Sequence, residues 1–310
     1  MATKEKKRQQ NLRRETWGLR MGIYALLFVG VIGVIAYILL SGGSGENGGS
    51  RSSRFEAVHT FDTADLHALA FDPTDPQVVL FGHHGGLQKS IDGGGSWETE
   101  IDEANWDAMN IVFDPFSPET IYVAGHDVLF KSTDGGANWE PLRPNLPSLD
   151  LHTFGASPLD EGRLYAVPAG MALYASDDRG ETWQLVSEDV PPGSNSIVEL
   201  PDGTLLIGAT DQGILRSDDG GLTWSSSREG IDVGAIYAIR ADPGGGRVYA
   251  GTDHGLYVST DGGRTWSATA LEDSWVVVVG VNPADPMTVL AISREGQLYR
   301  STDGGETWGS

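Results

Sequence analysis

Six copies of one eight-residue phrase, spaced 41 to 44 residues apart, constrain this chain more than any other feature of its sequence. Each copy holds an aspartate, one or more glycines and a closing tryptophan. Self-similarity at this period is typical of β-propeller blades and of helical arrays, so the segments between the copies must decide between the two. The copies are SIDGGGSW (90–97), STDGGANW (132–139), SDDRGETW (176–183), SDDGGLTW (217–224), STDGGRTW (259–266) and STDGGETW (301–308).

The segments between the copies predict strands. Three short runs rich in β-branched and apolar residues precede each copy, as in VVLFG (78–82) and GLQKS (86–90), and each closing tryptophan opens a fourth run. Glycine and proline separate the runs, and no segment after residue 40 has a helical period. Four strands in each of six periods predict an all-β fold, a six-bladed β-propeller of four-stranded blades over residues 55–310.

The last repeat predicts how the ring closes. It lacks most of its outer strand, because the sequence ends two residues after Trp308. The pattern of residues 55–58 resembles that of the run that opens at Trp139. We therefore predict that residues 55–60 supply the missing strand and so remove an open sheet edge.

The repeated phrase S-x-D-x-G-x-T-W resembles the Asp-box, also called the BNR repeat. This repeat occurs in sialidases, sortilin-type receptor propellers, some glycoside hydrolases and a photosystem II assembly factor family. The resemblance implies a propeller and suggests either a binding scaffold or a glycoside hydrolase. In a tight turn, an aspartate accepts backbone hydrogen bonds, glycine permits a positive φ and tryptophan buries a large area. We therefore predict structural roles for Asp92, Asp134, Asp178, Asp219, Asp261, Asp303, Trp97, Trp139, Trp183, Trp224, Trp266 and Trp308.

The first 54 residues predict a membrane anchor. Residues 21–40 carry no charged side chain, and twenty residues at about 1.5 Å each cross the hydrocarbon core of a bilayer as a helix. Basic residues crowd positions 1–20, so the positive-inside rule places the N-terminus in the cytoplasm and the propeller outside it. Residues 41–54 are predicted to form a flexible Gly/Ser-rich linker. A cleaved signal peptide is the alternative for this region.

Charge and composition exclude several classes of partner. From residue 55 onward the chain carries 12 Lys and Arg against 40 Asp and Glu. Such a surface repels nucleic-acid phosphates, so no nucleic-acid partner is expected. The chain has no cysteine, which excludes disulfides and thiolate metal sites. We expect no cofactor, a membrane contact through residues 21–40, and a protein or glycan partner.

That partner is expected at one end of the ring. In four-stranded blades, the loops between strands two and three share an end with the connections between blades. Three interpretations of the polar residues there remain open: solvated loop residues, an aromatic platform for a sugar or peptide, and a His/Asp metal site, although no metal is expected. The candidate binding residues are His83, His84, His126, Asp127, Asp211, Asp253, His254, Trp106 and Trp275, and His67 and His152 stand at the entries to first strands.

Three residues are the candidates for a catalytic site: Tyr237, Glu199 and Arg240. Glu199 and Arg240 occupy equivalent positions in the first strands of adjacent blades, and we predict that they pair near the central channel. Sialidases often carry an F/Y-R-I-P tetrapeptide, which is absent here. We therefore favour a membrane-anchored, extracytoplasmic scaffold or receptor-like module that binds a protein or glycan. A sialidase-like glycoside hydrolase or a cell-envelope structural protein is the alternative.

Overall fold

A computed structural model of the chain describes residues 55–309 with the exception of residues 64, 233 and 273. The predicted basic tail (1–20), transmembrane helix (21–40) and linker (41–54) lie outside the described residues. Within residues 55–309, no helix has the length and apolar character needed to cross a bilayer.

The described residues form 23 strands, labelled β1–β23 in chain order, in six antiparallel sheets that are the six blades. Blade 1 contains β2 (Ala68–Phe71), β3 (Val79–Ser90) and β4 (Glu98–Asp107). Blade 2 contains β5 (Asn110–Asp114), β6 (Ser117–Gly125), β7 (Val128–Ser132) and β8 (Glu140–Pro141). Blade 3 contains β9 (Leu151–Ala156), β10 (Leu164–Pro168), β11 (Leu173–Ser176) and β12 (Gln184–Ser187).

The second half of the ring repeats this order. Blade 4 contains β13 (Ser194–Glu199), β14 (Leu205–Ala209), β15 (Gly213–Ser217) and β16 (Ser225–Ser226). Blade 5 contains β17 (Ile236–Ala241), β18 (Val248–Thr252), β19 (Gly255–Ser259) and β20 (Ser267–Glu272). Blade 6 contains β21 (Val276–Val281), β22 (Val289–Ser293), β23 (Gln297–Ser301) and β1 (His59–Thr60). The predicted six-bladed propeller is confirmed.

The N-terminal segment of the propeller closes the ring, as predicted. In β1, His59 pairs with Leu298 and Thr60 pairs with Gln297, so this segment is the outer strand of blade 6. Phe61 follows directly, and its ring stacks on Phe81 of blade 1 with 4.0 Å between ring centroids. Closure therefore joins the first and last blades through both backbone pairing and aromatic packing.

Blade 1 departs from the regular pattern. Its second and third strands form one continuous run, β3, and residues in the middle of that run pair with the end of β4. His84 lies opposite Asp107, and Gly86 lies opposite Asp102, with a register shift between the two pairs. The long β4 thus carries Asp107 to the end of the ring where the loop histidines lie.

The core lies between the blades. Each of the six inner strands (β2, β5, β9, β13, β17 and β21) contacts the inner strands of both neighbouring blades. Six hydrophobic clusters occupy the six blade boundaries, and fully buried tyrosines recur in them, including Tyr122, Tyr249 and Tyr299. The repeated tyrosines are thus packing residues, and each blade is stabilised by apolar area shared with its neighbours.

The Asp-box turns hold themselves together through one set of hydrogen bonds. In the fifth copy, the carboxylate of Asp261 accepts from the backbone N–H of Arg264 (3.0 Å) and Thr265 (2.9 Å) and from the Thr265 hydroxyl (2.7 Å). Buried Ser259 accepts from the N–H of Gly263, whose φ is 79°. The backbone N–H of the residue four positions on lowers the pKa of Asp261 to about 2, with further contributions from the hydroxyls.

The other five turns repeat this arrangement. Each aspartate accepts hydrogen bonds from the residue four positions along the chain, and each turn begins with a buried serine. The threonine hydroxyl four residues on lowers the pKa of Asp219 to about 2, and at Asp303 hydrogen bonds from Thr307 outweigh burial and give a pKa of about 2. The six carboxylates are spread over six separate turns, as a structural role requires.

Candidate functional site

A central cavity of about 450 Å³ lies where the inner strands end, at the end of the ring that carries the Asp-box turns. The turns after the first strands bond to the Asp-box turns, as in the N–H of Gly93 donating to the carbonyl of Gln77. The lining is mostly apolar and includes Phe71, Phe113, Phe154, Pro115 and Pro243. Small ligands and single side chains fit cavities of this size.

Arg240 projects into this cavity from β17 without a counter-ion. Its guanidinium donates to the carbonyl of Ile239, 2.9 Å away, and within residues 55–309 no carboxylate lies within 4.0 Å of it. Desolvation by the surrounding protein lowers the pKa of Arg240 to about 10. Arg240 is half-buried. An unpaired guanidinium that is partly withdrawn from water is costly, and a carboxylate that reached it would form a charge-assisted pair.

Glu199 lines the same cavity but does not pair with Arg240, so the predicted ion pair is wrong. Glu199 turns towards blade 3, where it lies beside Ser157 and Tyr165. Burial raises the pKa of Glu199, although these two hydroxyls and Arg163 favour the ionised form. One carboxylate oxygen of Glu199 is buried without a hydrogen-bond partner. The two side chains do not pair because Glu199 contacts hydroxyls in blade 3, whereas Arg240 contacts the carbonyl of Ile239 in its own strand.

Tyr237, the third catalytic candidate, lies at the other end of β17. It lies three positions before Arg240, which is about 10 Å of extended strand. Its ring packs against Trp275 with 5.6 Å between centroids, and burial raises the pKa of its hydroxyl. The three candidate residues therefore do not converge on one point.

A row of four histidines occupies the opposite end of the ring, across blades 1 to 3. The ring centroids of His67 and His84 are 4.4 Å apart, those of His84 and His126 are 5.6 Å apart, and those of His126 and His152 are 4.6 Å apart. Three aspartates alternate with them: Asp65, Asp107 and Asp150. We call these seven residues the His/Asp row.

Asp107 is the centre of the His/Asp row. One of its oxygens lies 3.2 Å from Nε2 of His84, and the other accepts from Nδ1 of His126. On either side, Nδ1 of His84 lies 3.4 Å from Asp65, and Nε2 of His152 lies 3.1 Å from Asp150. These contacts make the row continuous over three blades.

Several buried atoms of the row make no contact of hydrogen-bond geometry, although two of them face each other in the His152–Asp150 ion pair. They are Nε2 of His67, Oδ1 of Asp107, Oδ1 of Asp150 and Nε2 of His152. Burial, reinforced by nearby His84, lowers the pKa of His67 to about 4, and contact with His152 lowers the pKa of Asp150. At neutral pH the row therefore presents a neutral imidazole at His67 and a carboxylate at Asp150.

Most residues of the His/Asp row occupy equivalent positions in successive repeats of the sequence. Asp65, Asp107 and Asp150 occupy equivalent positions before the inner strands, and they are spaced by 42 and 43 residues. His84 and His126 are likewise 42 residues apart, in the connections between strands two and three. The aspartates were not among the predicted site residues. Their spacing at the repeat period, and the tripeptide DLH at 65–67 and 150–152, are the signals that reveal them.

The remaining predicted binding residues lie apart from the row. His83 donates Nδ1–H to the carbonyl of its neighbour His84, and its other ring nitrogen is buried. Asp127 occupies a turn with a φ of 57° and is exposed, as is Asp211. His254 lies 3.1 Å from Asp253, its one ion-pair partner among the described residues.

The two tryptophans predicted as a platform differ in their surroundings. Trp106 is 7% exposed, because β4 carries it into the core, where it stacks on Phe130 with 4.2 Å between centroids. It cannot present a face to a ligand. Trp275 is half-buried, and the guanidinium of Arg294 lies 4.0 Å above its ring. The two tryptophans therefore do not form a two-ring platform at this end of the ring.

Comparison with known protein families gives two matches. A model of the family described as photosynthesis system II assembly factor YCF48 matches residues 50–205, which is half of the chain. The BNR/Asp-box repeat model matches residues 257–268, around the fifth copy of the phrase. No curated protein matches the chain in sequence.

Solved structures share the fold. A structure of YCF48 bound to D1 peptide is 19% identical, with 84% of each chain covered and a TM-score of 0.55. YCF48 from Cyanidioschyzon merolae is 21% identical, with 82% of this chain and 86% of that chain covered and a TM-score of 0.54. A GH74 xyloglucanase from Xanthomonas campestris is 18% identical, with 83% and 46% covered and a TM-score of 0.58. At these identities the similarity concerns the fold.

Proposed function

Because the chain belongs to the family of the photosynthesis system II assembly factor YCF48, we propose that it is a protein-binding scaffold that captures a segment of a partner protein. In this proposal residues 21–40 anchor the chain in a membrane, and the propeller acts on the extracytoplasmic side. The proposal rests on the family, on the peptide complex known for a protein of the same fold, and on the central cavity.

The unpaired guanidinium of Arg240 is the observation that carries the proposal. The two aspartates of the cavity wall are already satisfied: Asp242 accepts from the backbone N–H of Arg247 (2.7 Å), and Asp114 lies 3.4 Å from Arg179. Arg240 is left with one carbonyl contact. A partner carboxylate would recover the cost of its desolvation.

The lining indicates what kind of segment fits. Apolar side chains and turn prolines form most of the wall, so an apolar side chain next to the carboxylate would be buried favourably. The free oxygen of Glu199 needs a donor, which a backbone amide or hydroxyl of the segment supplies. We therefore propose an extended segment that combines an apolar side chain with a carboxylate.

Arg240→Met in the full chain tests this directly, with stability measured in detergent micelles and capture measured in native membranes. The substitution removes a half-buried, unpaired charge and keeps the volume similar, so stability should be unchanged or higher, while partner capture should be lost. Capture is measured with a photo-crosslinking residue at Ala241, in the cavity wall, in native membranes. Arg143→Met, on an exposed arginine, is the matched control and should retain the adduct.

The position of the crosslinker supplies the second control. A crosslinker at Leu222, which is 55% exposed on an Asp-box turn, should not give the same adduct. Identical adducts from both positions, or an adduct that survives Arg240→Met, would contradict binding in the cavity.

Orientation at the membrane needs its own experiment. Sealed cells are treated with protease, and epitope tags are placed before residue 1 and in the exposed loop at residue 234. We expect the loop tag to be digested and the N-terminal tag to be protected, because the basic residues of 1–20 favour the cytoplasmic side. Protection of both tags would contradict the extracytoplasmic location.

A further inference from the structure

The His/Asp row divides into two groups of three potential ligands. One group is His67, His84 and Asp107, and the other is His126, Asp150 and His152. Within each group the ligand atoms lie within 4.8 Å of one another. Two imidazoles and one carboxylate are a ligand set typical of zinc and of other divalent transition metals.

We infer that the row binds two divalent transition-metal ions of the zinc class, one in each group. The inference does not depend on the proposed function, since it concerns the end of the ring opposite the cavity. It departs from the expectation that the chain holds no metal.

The distances within each group suit such an ion. In a tetrahedral zinc site, with bonds of about 2.0–2.1 Å, neighbouring ligand atoms are about 3.4 Å apart. Nε2 of His84 lies 3.2 Å from Oδ1 of Asp107, and Nε2 of His152 lies 3.1 Å from Oδ1 of Asp150. In the second group Nε2 of His126 lies 3.7 Å from Oδ1 of Asp150, and in the first group the nitrogen of His67 lies within 4.8 Å of the other ligand atoms.

Buried polar atoms of the row that lack a hydrogen bond also support the inference. Nε2 of His67 is buried and makes no hydrogen bond. Oδ1 of Asp107 and Oδ1 of Asp150 are buried and lie 3.2 and 3.1 Å from Nε2 of His84 and Nε2 of His152, in contacts that lack hydrogen-bond geometry. Leaving a buried polar atom unsatisfied is costly, and native structures rarely do so without a reason. A metal ion in each group would satisfy these atoms.

Outer contacts orient the ligands as metal sites require. Metal-bound histidines usually donate their second ring N–H to a carboxylate, which fixes the tautomer. Here Nδ1 of His84 faces Asp65, and Nδ1 of His126 donates to Asp107, so Nε2 of each ring is left for the ion. Asp107 thus holds His126 for one group while its other oxygen belongs to the neighbouring group.

The sites are open to solvent on one side. The side chains of His84 and His126 are 44% and 40% exposed, which provides a path of entry for the ions. Three protein ligands leave a fourth position on each ion. This position would be filled by water or by a donor group of a partner, and the ions would tie blades 1 to 3 together.

Titration with Co²⁺ and Zn²⁺ tests the inference. The full chain is stripped with EDTA and titrated with Co²⁺, whose visible absorbance reports the ligands and the stoichiometry. We expect two equivalents per chain, displaced by Zn²⁺. His67→Ala and His152→Ala should each reduce the stoichiometry from two to one, and the double variant should bind none. Asp65→Asn should weaken the first site by about 10–100-fold.

Control variants separate binding from folding. His254→Ala removes a histidine at the same end of the ring but outside the row and should keep two equivalents. If His67→Ala does not fold, as judged by circular dichroism without metal, the more exposed His84→Gln replaces it. Binding of fewer than two equivalents to the parent chain, or unchanged stoichiometry in folded row variants, would overturn the inference.

Discussion

Asn110 donates its side-chain amide to the backbone carbonyl of Leu151, 3.0 Å away, across the boundary between blades 2 and 3. The same amide lies 3.2 Å from the carbonyl of His152. Asn195 makes an equivalent contact with the carbonyl of Ile236 between blades 4 and 5. These amides fix the start of the next inner strand, and in blade 3 that start carries His152 of the His/Asp row.

Asn110→Ala should therefore destabilise the propeller. The substitution removes a buried donor and leaves carbonyls at the start of β9 without it, so we expect the free energy of unfolding to fall by about 1–3 kcal/mol. Urea denaturation measures the change. Gln184→Ala, at an exposed strand position, should stay within about 0.5 kcal/mol of the parent. Equal effects of the two substitutions would contradict a stabilising role for the hydrogen bonds of the Asn110 amide.

Ser259→Ala tests the Asp-box turn. The Ser259 hydroxyl is buried, accepts from the N–H of Gly263 (2.8 Å) and donates to Asp261 (2.8 Å). Alanine leaves the Gly263 N–H without an acceptor, so we expect a loss of about 1–3 kcal/mol in unfolding free energy. Thr260→Ala, at the adjacent exposed position, is the control and should change stability by less than about 0.5 kcal/mol.

The same turns predict sensitivity to acid. Asp219, Asp261 and Asp303 have pKa values of about 2 in the folded chain, against about 3.9 in an unfolded chain. A lowered pKa stabilises the fold above the unfolded value, and this stabilisation is lost as the pH falls towards the folded value. We therefore expect the free energy of unfolding to decline between about pH 4 and pH 2.

A triple variant isolates this contribution. D219N/D261N/D303N keeps one acceptor oxygen in each turn but cannot titrate, so its unfolding free energy should decline less over the same pH range than that of the parent. Urea denaturation at a series of pH values gives the comparison. D211N/D232N, at exposed aspartates outside the turns, should follow the parent. A parallel decline in parent and triple variant would contradict the role of the turns.

The fold was predictable from the sequence because the repeat is local. Each copy of the phrase encodes its own turn, and the 42-residue period sets the number of blades without any long-range information. Closure by residues 55–60 followed from the missing outer strand of the last repeat. Trp106 was less predictable, because its burial depends on the extension of β4 to Asp107, and the fourth strands elsewhere give no precedent for that length.

Side-chain pairing was harder to predict than backbone position. Glu199 and Arg240 stand at equivalent positions in adjacent inner strands, as expected, but long side chains can turn to either neighbouring blade. Glu199 finds hydroxyls in blade 3, while Arg240 contacts its own strand. The His/Asp row shows a different case: the sequence analysis predicted its histidines as separate loop residues, whereas the spacing of the aspartates at the repeat period is the sequence signal that joins them into one row.

Gly125→Ala should disturb the centre of the His/Asp row. A Cβ at Gly125 would lie 1.8 Å from the backbone carbonyl of Asp107, far inside van der Waals contact. The last residue of β6 must therefore lack a side chain for the connection between blades 1 and 2 to approach so closely. We expect a loss of at least about 1–3 kcal/mol in unfolding free energy, as for other overpacked sites.

The local effect distinguishes this prediction from a general loss of stability. Displacement of Asp107 should separate it from His126, and the change is measured by the NMR chemical shifts of the His126 and His84 ring protons in the folded variant. Gly234→Ala is the matched control, since a Cβ there meets no atom within 4 Å and its φ is not in the left-handed region. It should leave both the stability and the two histidine signals unchanged. Unchanged histidine signals in Gly125→Ala would mean that the glycine does not position Asp107.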